Sequence, residues 1–128
     1  MDVQANNCYK AEQKVFENED RLSETHLKQF FYHIIGDPWF KNKYGEGYRM
    51  YTIGDYFDHS FSYKKSIYIL EYQHFTVSTL CHELAHACKK IRSNPHGKAW
   101  QKRYVEMVGR YMGAEKAEEL LEEFKKMS

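Results

Sequence analysis

Residues 76–91 have the sequence TVSTLCHELAHACKKI, and the interpretation of the whole chain begins there. Thr76 is a residue type favoured at helix N-caps, and apolar residues recur after it at helical spacing. The members of this apolar stripe are Val77, Cys81, Leu84, Cys88 and Ile91. The pair Asn94-Pro95 interrupts the pattern, because proline breaks a helix. The spacing therefore predicts an amphipathic helix over residues 77–91.

Two histidines, His82 and His86, lie one helical turn apart in the pattern HELAH. Residues at i and i+4 share a helix face, so both imidazoles can reach one metal ion at about 2.0–2.1 Å. At about 100° per residue, Leu84 lies about 200° from His82, so the histidines point away from the apolar stripe. The helix can then pack through one face and present a metal from the other.

Glu83 follows His82 directly, near the edge of the same face. Its carboxylate would lie close to the metal without needing to bind it. From there it can take a proton from a zinc-bound water, whose pKa the metal lowers to about 7, and deliver it to a leaving amine. The pattern predicts Glu83 as the catalytic general base.

A catalytic zinc ion takes three protein ligands and keeps one position open. His96 is the best candidate for the third ligand, because the chain must turn at Asn94-Pro95 and the next segment can fold back toward the zinc face. The alternative interpretation of His96 is an ordinary loop histidine at a helix start. His74 and His59 are weaker candidates. We therefore expect one zinc ion per chain, bound by His96 and the two helix histidines.

Upstream of this helix, the periodicity predicts a helix followed by a small sheet. Residues 24–35 carry apolar residues at helical spacing. These are Leu27, Phe30, Phe31, Ile34 and Ile35. Three β-prone runs follow at 48–53, 59–63 and 66–70, and the turn residues between them predict a small antiparallel sheet. Metalloproteases often pair substrate backbone with an edge strand, and residues 66–70 are the candidate.

Downstream, two further helices are predicted on either side of Gly113. The first begins near Gly97, and its inward residues are Trp100, Tyr104, Met107, Val108 and Tyr111. The second covers 114–128, and its apolar face is Ala117, Leu121, Phe124 and Met127. Polar residues 1–20 are either a flexible tail or a short first helix. The order of elements predicts a single domain, 1–128, of the α+β class.

The net formal charge of +1 excludes attraction of DNA or a membrane by the net charge of the whole protein. Residues 89–103 nevertheless contain six basic residues and no acidic one: Lys89, Lys90, Arg92, Lys98, Lys102 and Arg103. This basic run is either a solvated helix face or a rim beside the site that can contact phosphate or an acidic substrate. No apolar run approaches the length of a membrane span, so we expect no membrane contact.

The chain has three cysteines, an odd number, without CxxC spacing. We therefore expect neither a disulfide framework nor a structural zinc ribbon. We expect a reducing, cytoplasmic location. The N-terminus also lacks the apolar segment of a secretory signal. Cys81 and Cys88 fall on the apolar stripe, which predicts them as core residues rather than ligands.

The stretch from His82 to Trp100, HELAHACKKIRSNPHGKAW, resembles the SprT-like family of zincin metalloproteases. In that family HExxH is followed by a short loop, a His-Gly pair and a helix that carries an aromatic residue. The resemblance places the metal ligands at His82, His86 and His96. The family's catalytic glutamate maps onto Glu83. The resemblance implies a minimal zincin-like core and a protease function.

Some members of the family digest proteins that are crosslinked to DNA, and the basic run at 89–103 is compatible with such targets. Many relatives carry a C-terminal four-cysteine zinc ribbon, whereas this sequence has an acidic amphipathic helix in its place. This departure fits a partner-binding tail, or a compact phage or bacterial version of the family. A phage-encoded protein would act in the host cytoplasm.

Three functions follow from these patterns. The first is a zinc endopeptidase that hydrolyses peptide bonds in a protein or peptide substrate. The second is a non-catalytic, zinc-stabilised module that binds nucleic acid or a protein partner, and the third is a metal-dependent hydrolase of non-peptide bonds. A purely structural site has no need of Glu83 and prefers four ligands with thiolates, so the sequence favours the first. Tyr104 or Tyr111 could stabilise the developing oxyanion of that reaction.

Overall fold

The structure is a computed structural model that describes residues 3–54, 56–71, 73–88 and 96–127. The described residues form an α+β fold, which confirms the predicted class. The elements are α1 (Val3–Val15), α2 (Glu24–Gly36), α3 (Pro38–Tyr44), β1 (Arg49–Ile53), β2 (Phe61–Tyr63), β3 (Ser66–Leu70), α4 (Val77–Ala87), α5 (Lys98–Tyr111) and α6 (Ala114–Lys125). Among these helices, none is both long and apolar enough to cross a membrane.

The helix boundaries follow from capping residues in the sequence. Ser23 Oγ accepts a hydrogen bond from the His26 amide at 3.1 Å and so starts α2. Thr76 Oγ1 does the same for α4, accepting from the Thr79 amide at 3.2 Å. Helix α4 is described to Ala87, whereas the prediction extended it to residue 91. Ile91 and the Asn94-Pro95 break lie outside the described residues.

Two helices differ from the expectations for the N-terminal half. Of the two alternatives for residues 1–20, the structure has the helix, α1. Helix α3 was not predicted, because Gly36 and Pro38 are residue types that commonly end a helix and no further helix was expected after residue 35. Asp37 in fact caps α3, accepting from the Trp39 amide at 3.1 Å, and Pro38 occupies the first turn, where its missing N–H costs nothing.

The chain divides into two compact units. One comprises Asp20–Cys88, and the other comprises Met1–Glu19 together with Lys89–Ser128.

The sheet of the first unit has the order β1-β3-β2 and is mixed. Strands β2 and β3 form the predicted antiparallel hairpin, which turns at Lys64 with φ of 54°. Strand β1 instead pairs parallel with β3, so the prediction of an antiparallel sheet is wrong for β1. Apolar alternation sets which face of a strand is buried but carries no information on strand direction. The connection between β1 and β2 leads the chain from one edge of the sheet to the other, and this crossing makes β1 parallel.

Strand β3 lies in the centre of the sheet, so the prediction that residues 66–70 form an edge strand is wrong. Its two isoleucines, Ile67 and Ile69, are fully buried, and α4 packs against β3 and β2. On α4, Leu80 and Leu84 are also fully buried. The most apolar strand takes the central position because it has the most to gain from burial on its packed face.

Truncation of this core should lower stability. We expect Ile69→Ala to reduce the free energy of unfolding by about 2–5 kcal/mol, because it removes buried methylene groups and leaves a cavity under α4. Urea unfolding followed by circular dichroism measures the change. Tyr32→Ala is the control, since Tyr32 is 65% exposed on α2 and should change stability little. Equal stabilities of the two variants would contradict this account of the core.

In the second unit, α6 packs against α5 and α1. The predicted inward residues of α5 are buried, except for the half-buried Tyr111: Trp100, Tyr104, Met107 and Val108. On α6 the buried pair is Leu120 and Phe124, and Leu121 is 41% exposed. The predicted face of α6 is therefore wrong at Leu121. Both leucines fit a helical stripe that includes Phe124, and the position of α6 against its neighbours selects the face with Leu120.

Candidate metal centre

Helix α4 brings His82 and His86 onto one face, as their spacing predicts. Their ring centroids lie 4.9 Å apart with an interplanar angle of 67°. His82 is 7% exposed, and His86 is half-buried. The cap at Thr76 and the packing of α4 on the sheet hold both side chains on a rigid element, which suits a site that must keep its geometry.

The burial of α4 differs from the prediction, which was that one face of the helix is packed and the other is open to solvent. The apolar residues Cys81, Leu84 and Cys88 are buried as expected. The opposite side is also largely buried, since the side chains of His82 and Glu83 are only 8% and 6% exposed. A polar group in such surroundings interacts more strongly with nearby charges than it would in water.

Glu83 lies close to the first histidine. Its Oε2 atom is 3.8 Å from His82 Nε2, which is too long for a hydrogen bond. The carboxylate is thus beside a candidate metal ligand on the adjacent helix position. This is the placement expected of a base that acts next to a metal.

His96 directly precedes Gly97, the N-cap of α5, and several residues around it hold it in place. Its carbonyl oxygen accepts hydrogen bonds from Gln101 Nε2 at 3.0 Å and from Cys8 Sγ at 3.9 Å. Its ring packs edge-on against Trp100 and Tyr9, with centroid distances of 4.8 and 5.7 Å. These contacts restrict both the backbone and the ring of the histidine.

The structure brings the three predicted histidines together. His82, His86 and His96 each offer one ring nitrogen, and these atoms lie within 4.8 Å of one another. A zinc ion with nitrogen ligands at about 2.0–2.1 Å would draw such atoms somewhat closer. Three imidazoles without a thiolate match the donor set of a zinc site with an open position. The cluster could therefore hold a metal ion.

The two alternative ligands have other partners. His74 Nδ1 lies 2.6 Å from Ser60 Oγ, which also accepts from the Leu70 amide at 2.8 Å. His59 is exposed and lies 2.5 Å from Asp58, and its hydrogen bond lowers the pKa of that carboxyl. Within the described part of the chain, neither histidine belongs to the metal-binding cluster.

The residues that support His96 were only partly foreseen. Trp100 was expected as the aromatic residue of α5, but Cys8, Tyr9 and Gln101 were not singled out. Cys8 and Tyr9 lie almost ninety positions away from His96 along the chain, and no local pattern reports such a contact. Tyr104, a candidate for oxyanion stabilisation, is fully buried, and its hydroxyl donates to Glu12 Oε2 at 2.9 Å.

Comparison with known proteins identifies the family of the chain. The family model of the SprT-like family matches residues 6–119, from within α1 to within α6. Neither the search of curated proteins nor the search of solved structures returned a match. The matched range includes every residue of the histidine cluster. It confirms the resemblance to this family that residues 82–100 show in the sequence. This chain therefore belongs to the SprT-like family.

Proposed function

We propose that this chain is a zinc-dependent metalloendopeptidase, and that residues 1–128 act as one domain. The proposed zinc ligands are His82, His86 and His96. The proposed general base is Glu83. The main support is the convergence of three imidazole nitrogens within 4.8 Å, with a buried carboxylate 3.8 Å from one of the rings. Membership of the SprT-like family supports the same proposal.

The proposed chemistry divides between the metal and the protein. Zinc, when bound, polarises the scissile carbonyl and lowers the pKa of a water ligand to about 7. The carboxylate of Glu83 accepts the proton that the attacking water loses and later passes it to the leaving amine nitrogen. The low exposure of Glu83 limits competition from bulk water and strengthens its interaction with charge that develops nearby.

Strand β2 is the proposed partner of the substrate backbone, in place of β3. It lies at an edge of the sheet and packs against α4, the helix that carries two of the proposed ligands. An edge strand offers unpaired N–H and C=O groups that an extended peptide can use. A substrate bound there would lie alongside α4.

The proposed substrates include proteins associated with DNA, and the proposed location is the cytoplasm. Of the basic run, Lys98 and Lys102 are exposed on α5 and could contact phosphates. Arg103 is half-buried on the same helix, and Lys89, Lys90 and Arg92 lie outside the described residues. All three cysteines are buried thiols rather than members of a disulfide, which suits a reducing compartment.

Metal content and cleavage together test the proposal. Elemental analysis of the purified protein after mild dialysis should give about one zinc per chain, and a fluorescently labelled unfolded casein should be cleaved. Failure to bind zinc, even when it is added, would contradict the proposal. Stoichiometric zinc without cleavage of any unfolded protein would favour the non-catalytic binding module instead.

The contacts of His96 lead to a further prediction. Tyr9→Ala should weaken zinc binding by about 10-fold or more, because the ring that packs against His96 no longer restricts it. Competition with a chromogenic chelator measures the affinity, and Tyr32→Ala is the control, since that tyrosine is 65% exposed on α2. Unchanged affinity in the Tyr9 variant would mean that α1 does not position the ligand.

A further inference from the structure

Strand β1 forms the edge of the sheet opposite to β2. The Arg49 amide donates to the Lys65 carbonyl at 3.0 Å, and the Ile53 carbonyl accepts from the Glu71 amide at 2.9 Å. In a parallel ladder, alternate residues of a strand bond to the same neighbour. The peptide groups of Met50 and Thr52 therefore point away from β3, toward the outer side of this edge.

The outer face of the sheet carries a column of stacked rings that ends at β1. Tyr51, Tyr68 and Phe61 are cross-strand partners. The rings of Tyr51 and Tyr68 lie 5.3 Å apart at an interplanar angle of 19°. Those of Phe61 and Tyr68 lie 4.7 Å apart at 17°. Tyr51 is 43% exposed, so the column ends at the edge with a ring that is partly open to solvent.

Proteins usually protect an exposed edge strand with prolines, bulges or several charges, because such an edge invites pairing with another chain. Strand β1 has the sequence RMYTI, with one charge at its first residue and no proline. It pairs with β3 in continuous register over all five residues, without a bulge. Within the part of the chain that the structure describes, this strand lacks those protective features and carries an exposed aromatic ring, so its edge is a candidate binding surface.

We propose that the outer edge of β1 binds an extended segment of a partner protein as a fourth strand of the sheet. An added strand lies about 4.7–4.9 Å from its neighbour, which matches the spacing of the ring column. An aromatic residue of the partner opposite Tyr51 would continue that column. Arg49 is exposed on the same face two residues away, so an acidic residue two positions from the aromatic one would pair with it. The surface is separate from β2 and goes beyond the proposed protease activity.

The binding test uses a short fluorescein-labelled peptide with a central tyrosine, an aspartate two residues to each side and threonines between them. Its symmetry makes the test independent of strand direction. Fluorescence anisotropy should give saturable binding to the full-length protein. Tyr51→Ser should weaken it about 10-fold or more, since the stacked ring and its buried area are lost. Tyr32→Ser is the control, because Tyr32 is 65% exposed on α2, outside the sheet, and should leave affinity unchanged.

Two further variants separate the backbone and charge contributions. Met50→Pro removes an outward N–H without removing a bond to β3, so it should weaken peptide binding in a variant that remains folded by circular dichroism. Arg49→Glu should lower affinity for the aspartate peptide and raise it for the same peptide with lysines in place of aspartates. The proposal is overturned by absence of peptide binding, or by equal effects of the Tyr51 and Tyr32 variants. A concentration-dependent dimer that Met50→Pro abolishes, without peptide binding, would assign the edge to a second copy of this chain.

Discussion

Glu83→Gln should retain zinc and the native fold, and its kcat should fall by about 100- to 10,000-fold. Glutamine has nearly the same shape as glutamate but cannot accept the proton of the attacking water. The position is buried and 3.8 Å from the His82 ring, so the loss would concern a group beside the proposed metal rather than a surface charge. Zinc content is measured by elemental analysis, and turnover is measured with a labelled protein substrate.

The control for Glu83→Gln is Glu118→Gln, which makes the same chemical change at an exposed position on α6. That variant should keep full activity. If Glu83→Gln remained as active as wild type, the general base would be a different group. If it lost zinc as well as activity, Glu83 would act in metal binding, and its assignment as base would be wrong.

His96→Ala should weaken zinc binding strongly. Mutation of a residue that only holds a ligand in place typically lowers metal affinity by about 10- to 100-fold, and loss of a ligand itself should lower it further. The variant removes one of three nitrogens that lie within 4.8 Å of one another, and a site with two ligands holds zinc poorly. Activity should disappear with the metal. Chelator competition gives the affinity, and cobalt substitution reports the coordination geometry through its visible absorption.

Two comparisons make the His96 result specific. His96→Cys should recover part of the zinc affinity, because thiolate is also a good zinc ligand. His74→Ala should keep wild-type affinity, since His74 is hydrogen-bonded to Ser60 rather than part of the cluster. Unchanged affinity in His96→Ala would place the third ligand elsewhere. Loss of affinity in His74→Ala alone would make His74 that ligand.

The local features of the site could be predicted from the sequence. The spacing of His82 and His86 depends only on helix geometry, and Thr76 marks the start of that helix. His96 could be nominated because the sequence Asn94-Pro95 predicts a turn, but its position beside the other two histidines is a property of the tertiary structure. The helix and its cap could be predicted because they rest on residues that are close in sequence.

The arrangement of the sheet could not be predicted in the same way. The strands at 49–53, 61–63 and 66–70 were foreseen, but not the parallel pairing of β1 or the central position of β3. Side-chain alternation reports burial on a face and is the same for either strand direction. Which strands lie at the edges depends on how the connection between β1 and β2 crosses the sheet.

By itself, the sequence determined the α+β class, the helix that carries His82, Glu83 and His86, and the chemistry that these residue types can support. Only the tertiary structure decided that His96 joins them, that Cys8 and Tyr9 contact it, and that the edges of the sheet are β1 and β2. The physical reason is the distance along the chain over which each interaction acts. Helical periodicity and capping act over a few residues, whereas strand order and contacts across ninety positions depend on how all the apolar faces are buried together.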